Sequence, residues 1–221
     1  MTSINWSDWE PRFQTFLQEQ AATHAADAAH DQAHVGRVVH NARRIAALEG
    51  ADLAVVVPAA WLHDCVIVLK DSALRSQASR LAAETAVSFL HRAHYPAPYL
   101  DAIAHAIEAH SFSAGIPPQT IEAKVVQDAD RLDALGAVGM ARTFMVGGAL
   151  QRPLYHPADP FCAHRPPDDA VATLDHFYTK LLKLAGTMQT AVGRHEAERR
   201  TAFMHAYLAQ LAGEIGASLA P

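Results

Sequence analysis

Two imidazoles and two carboxylates stand out: His34, the adjacent pair His63-Asp64, and Asp130. They lie in three stretches rich in core-type residues, HDQAHVGRVVHNARRIA, AAWLHDCVIVLKDS and AKVVQDADRLDALGA. A polar group set among apolar side chains costs free energy unless something satisfies it. One divalent cation would satisfy all four at once, through imidazole nitrogen and carboxylate oxygen. Such a His₂Asp₂ set is harder than a structural zinc site and leaves octahedral positions for water or a phosphate oxygen. Mn²⁺ or Mg²⁺ suits it best, with Fe²⁺, Ni²⁺ and Zn²⁺ as further occupants. The chemistry such a centre supports is hydrolysis by a metal-bound water whose pKa has fallen towards neutrality.

The elements that must position these groups are helices. Half of the 221 residues are apolar, Ala is abundant and long strand-like alternation is missing, so the expected class is all-α. Trp9, Phe13, Phe16 and Leu17 mark an amphipathic helix over 7–20. A second helix carries Val35, Val38, Val39, Ala42, Ile45 and Leu48 and stops at Gly50. His34, four residues before Val38, shares its inward face. A third helix is expected from Pro58, carrying His63 and Asp64 and fraying near 70–72. Helices follow over 75–93 and 99–110, with a turn at Gly115. One long helix over 119–146 is expected, bent near Gly136 or Gly139. The stretch 147–167, with two Gly and five Pro, reads as a loop, either a lid or a packed surface excursion. Two helices, 168–186 and 188–217, complete a C-terminal pair. The whole reads as a single domain over 1–221, with its core at about 25–146.

Composition narrows the partners. Net charge is −5 with no basic stripe, which argues against duplex nucleic acid. Nucleotides remain open, because a metal neutralises phosphate locally. The N-terminus has no apolar signal-peptide core, and no window is long enough for a membrane span. The expectation is therefore a cytoplasmic protein without membrane contact. Cys65 and Cys162 form no disulfide framework. Cys65 reads as a small buried hydrophobe and Cys162 as an incidental loop residue.

The order H…HD…D resembles the signature of the HD-domain metal-dependent phosphohydrolases. The supporting context is His34-Val35-Gly36-Arg37-Val38, the run AAWLHD and the segment QDADRLDALGA. Together with KDSALRSQASRLAAE and LDHFYTKLLKLAGTMQTAVGRHEAERRTAFM, these look like the YedJ-like bacterial branch, a likeness covering about residues 25–212. The resemblance implies an HD helical bundle around one metal held by His34, His63, Asp64 and Asp130. It also implies, through relatives, a nucleoside triphosphate pyrophosphohydrolase. HD enzymes often place a further histidine near the metal, and His110, where a helix meets a loop, is the candidate acid for the leaving group. Asp64 is expected to orient the attacking water.

The remaining polar residues divide less cleanly. His105 and His110 lie about 140° apart on a helix and do not share a face. Lys70 and Arg75, beyond the HD pair, are the cations expected to steady phosphoryl charge, with Arg80, Lys180 and Lys183 as weaker candidates. For those the ordinary alternative is a solvated or snorkelling side chain. Asp133 and Arg131 sit beside Asp130 and could orient it or cap a helix. His30, Asp31 and His40 read as surface residues. The same site would also serve a phosphodiesterase or nucleoside monophosphatase. Two other readings differ in kind: a nucleotide-sensing metal-binding module, and a di-iron oxygenase using His105 and His110. No GxSxG, Walker A or GxGxxG motif competes, and the HHE and GYP elements of the cyclic-dinucleotide branch are missing.

Overall fold

The segment LAVVVPAAWL is apolar on every side, as a helix must be if it is to run through the middle of a bundle. In the computed structural model it forms α3 (Leu53–Leu62), buried from Ala54 to Leu62. The structure describes residues 4–22, 32–66, 68, 72, 74–111 and 114–219. Among them the regular structure is entirely helical, with no strand. Four helices pack on α3: α1 (Trp6–Ala22), α2 (Gln32–Glu49), α4 (Ala78–Arg92) and α5 (Leu100–His110). The 3-10 turn Arg75–Gln77 leads into α4.

The third helix does not start at Pro58. Asp52 caps it six residues earlier, its carboxylate accepting from the Ala54 amide at 2.8 Å. Pro58 therefore stands inside the helix, where it has no N–H for the Ala54 carbonyl one turn back. The Tyr95 hydroxyl supplies the missing donor, reaching the Ala54 carbonyl at 2.6 Å. Tyr95 is buried and follows His94, which takes a positive φ of 60°. A second correction concerns the far end. The helix stops at Leu62, so His63 is its C-cap and Asp64 lies in the turn beyond.

The aromatic face of α1 explains how that helix docks. Phe13 and Phe16 are buried, and Phe16 stacks on Phe89 with ring centroids 4.1 Å apart. Arg43 of α2 forms an ion pair with Glu10 of α1. α2 ends at Gly50, whose φ of +72° is a left-handed stop.

The expected long helix over 119–146 is two helices. α6 (Ile121–Leu132) ends, and α7 (Gly136–Ala149) begins at Gly136 with φ +69°. A left-handed residue cannot continue a right-handed helix, so the glycine breaks the run rather than bending it. The chain divides into two compact units, Met1–Asp130 and Arg131–Pro221, with the last two residues of α6, Arg131 and Leu132, in the second.

In the second unit α7 packs on α9 (Ala191–Glu214). The expected helix over 168–186 is instead a short α8 (Asp175–Thr179) followed by a 3-10 run, Leu181–Thr187. Phe144, Phe177 and Tyr207 form an aromatic cluster with centroid separations of 5.7–6.4 Å. The Pro-rich stretch begins later than expected, since α7 runs to Ala149. It is a pinned excursion. Thr173 and Leu174 amides donate to the Pro153 and Leu154 carbonyls, Phe161 is buried, and Arg165 forms a two-pronged pair with the fully buried Asp175.

Candidate metal centre

Three helix ends and one helix start bring five titratable groups together in the first unit. His34 comes from the first turn of α2, His63 and Asp64 from the end of α3, His110 from the last residue of α5, and Asp130 from near the end of α6. The three imidazoles are buried, while Asp64 and Asp130 are about a quarter exposed, at 24% and 28%. The pocket is thus dry on the imidazole side and open on the carboxylate side.

His34 Nε2 lies 3.5 Å from Asp130 Oδ1 and 4.0 Å from Asp64 Oδ2. His63 Nε2 lies 3.6 Å from Asp64 Oδ2 and 3.8 Å from Asp130 Oδ1. These separations are too long for direct hydrogen bonds. They suit ligand atoms around a common ion, since atoms bound at about 2.1 Å sit roughly 3–4 Å apart. Two trios, His34-His63-Asp130 and His63-Asp64-His110, each have donor atoms within 4.8 Å of one another.

The tautomers follow from the partners. A carbonyl only accepts, so the 2.9 Å contact of His63 Nδ1 with the Ala60 carbonyl fixes the proton on Nδ1. Nε2 is left with its lone pair facing the cluster, and among the described residues this buried atom has no hydrogen-bond partner. An unpartnered buried acceptor facing two carboxylates is explained by a cation between them. His110 is set the same way, with Nδ1 donating to the Ile107 carbonyl at 2.6 Å and Nε2 lying 3.4 Å from Asp64 Oδ1. The two oxygens of Asp64 are therefore divided, Oδ2 towards His34 and His63, Oδ1 towards His110.

Burial lowers the pKa of His63 and wins over the opposing pull of Asp64, so the ring is neutral and able to ligate. For His110 burial also pushes down, but the hydrogen bond and charge of Asp64, joined by the charge of Asp130, outweigh it and raise the pKa. Cys65, beside the pair, is buried with its thiol pushed up to about 12, chiefly by burial, and its Sγ contacts the Ala82 carbonyl at 3.4 Å. It is an inert packing residue.

The other candidates fall elsewhere. Lys70, His30 and Asp31 lie outside the described residues, as does the side chain of Arg75. Arg80, Lys180, Lys183 and His40 are exposed. His105 is absent from both metal-competent trios, and its Nε2 accepts from the Gln119 amide at 3.0 Å. Asp133 is buried and pairs with Arg142 where α6 gives way to α7. Arg131 donates to the Thr187 carbonyl at 2.7 Å. The sequence reading passed over Gln127, which is buried one turn before Asp130 and donates from Nε2 to the Ala109 carbonyl at 2.6 Å. Its signal was an amide standing on the apolar face of α6.

Residues 32–135 match the HD domain family, a span that begins two residues before His34 and ends just beyond Asp130. The protein YpgQ of Bacillus subtilis is 36% identical over 190 residues, covering 84% of each chain. Its crystal structure in complex with ADP aligns with TM-score 0.68 at 34% identity, over 92% of this chain and 93% of that one. The structure of an HD-superfamily hydrolase from Bacillus thuringiensis aligns with TM-score 0.75 at 33% identity, over 97% and 100% of the two chains. No described helix is long and apolar enough to cross a membrane. With the family span enclosing the histidine–aspartate cluster and relatives matching along most of their length, the chain belongs to the HD superfamily of metal-dependent hydrolases.

Proposed function

We propose that this chain hydrolyses nucleoside triphosphates to the monophosphate and pyrophosphate, with Mn²⁺ or Mg²⁺ held by His34, His63, Asp64 and Asp130. The observation that carries the reading is the buried His63 Nε2, unpartnered among the described residues, facing two carboxylates about a quarter exposed. When bound, the ion supplies Lewis acidity and lowers the pKa of water. The residues supply the rest. Asp64 uses Oδ1, the oxygen turned away from His34 and His63, to align the attacking water. His110, with Nδ1 committed to the Ile107 carbonyl, has only Nε2 with which to pass a proton to the leaving oxygen. Lys70 and Arg75, which follow the pair in sequence, are the cations proposed to steady a polyphosphate tail. The binding of ADP by YpgQ supports a nucleotide as substrate.

The bond broken is decided in ¹⁸O-labelled water. Label in the nucleoside monophosphate is expected, from attack at the α-phosphorus. Label confined to orthophosphate would mean terminal phosphatase chemistry and would refute the pyrophosphohydrolase reading.

A further inference from the structure

The last turn of an α-helix leaves carbonyls without intrahelical donors. In α5 two side chains take them up. His110 Nδ1 donates to the Ile107 carbonyl, and Gln127 Nε2 reaches across from α6 to the Ala109 carbonyl, both at 2.6 Å. The end of the helix carrying His110 is thus tied to the helix carrying Asp130, one turn from that carboxylate. Gln127 is only 2% exposed, and its Oε1 is buried without a hydrogen-bond partner among the described residues. The amide cannot turn over to relieve this, because Oε1 would then meet the Ala109 carbonyl, two acceptors in contact. An empty buried acceptor costs stability that a methionine of the same length would not. The one thing the amide does that methionine cannot is hold the Ala109 carbonyl.

We infer that Gln127 is a positioning residue: its bond to Ala109 fixes the end of α5 against α6 and sets the His110 imidazole at its distance from Asp64 and Asp130. It acts through His110 and touches neither substrate nor metal. The inference rests on His110 serving as the acid proposed above.

The test compares Gln127→Met, which keeps length and removes the donor, with Gln127→Leu, which also removes the donor and fills much of the same space. Either variant suffices if the other fails to fold. In metal-free protein, long-range ¹H–¹⁵N spectra should show the His110 ring resonances shifted and broadened and those of His34 unchanged. The His110 resonances are assigned by their loss in His110→Gln. Affinity for Mn²⁺ alone should match the wild type. In turnover, kcat should fall about 10–100-fold at near-constant KM, and Gln127→Met should add nothing in a His110→Gln background. Unchanged His110 resonances in the variants, or kcat losses that add independently, would overturn the assignment. A wild-type chain that hydrolyses no nucleotide would refute the proposed reaction, and the spectra would still decide the role of Gln127.

Discussion

The Tyr95 hydroxyl exists, on this structure, to repair what Pro58 breaks. Removing it by Tyr95→Phe leaves the Ala54 carbonyl with neither a helical N–H nor a side-chain donor. Both residues are buried, at 3% and 6% exposure, so water does not easily replace the bond. An acceptor stranded in this way costs about 1–3 kcal/mol. A loss of about 2 kcal/mol lowers the melting temperature of a chain this size by roughly 4–8 °C. That alone would not separate the repair from ordinary packing, but a second substitution does. Pro58→Ala restores an N–H at position 58, which can donate to the same carbonyl. In that background Tyr95→Phe should cost less than about 1 kcal/mol, giving a coupling of about 1 kcal/mol or more between the two sites. Urea denaturation of the four proteins, followed by far-ultraviolet circular dichroism, measures it. Equal costs of Tyr95→Phe in the two backgrounds would refute the reasoning.

Asp130→Ala should abolish tight binding of the divalent ion while circular dichroism stays helical, and elemental analysis finding equal metal in variant and wild type would remove Asp130 from the ligand set. His110→Gln should lower kcat by about 10²–10⁴-fold at unchanged metal content, and wild-type turnover would strip His110 of its role. Asp175 gives a pH prediction. Burial pushes its carboxyl up, but the Arg165 fork and the Asp168 amide outweigh that and hold it below the usual carboxylate range. A depressed folded pKa contributes stability that is complete above the ordinary value of about 3.9 and is lost as pH falls through the folded value. Asp175→Asn should therefore cost about 3 kcal/mol at neutral pH, with urea midpoints of variant and wild type converging below about pH 4. A gap constant down the series would contradict this.

The helical class was legible because period and composition agreed over most of the chain. The residue types that meet in the site were legible because ligand-type side chains stood where core residues belong. Boundaries were harder to read. Pro58 suggested a helix start because proline is tolerated in a first turn, and only the distant Tyr95 makes it tolerable inside α3. Gly136 suggested a bend, but its left-handed φ needs the backbone to be seen. Gln127 escaped because its partner is a main-chain carbonyl, and no spacing along the sequence encodes that contact. His176 had no recognisable spacing either, yet its Nδ1 lies 2.7 Å from an Asp169 oxygen through a loop closure.

Three of the site residues share one further property of placement. His63 caps α3, His110 is the last residue of α5, and Asp130 lies in the last turn of α6, so three helices aim their carboxyl ends at one spot. Each such end carries about half a negative charge from its aligned peptide dipoles. The amino end of α2, at His34, offsets one of the three, and on balance the backbone still makes the pocket electronegative before Asp64 and Asp130 are counted. A polyphosphate approaching the bare protein meets repulsion from main chain and side chain alike, and a dication meets attraction from both. The direction of the helices thus favours a cation over an anion at the bare site.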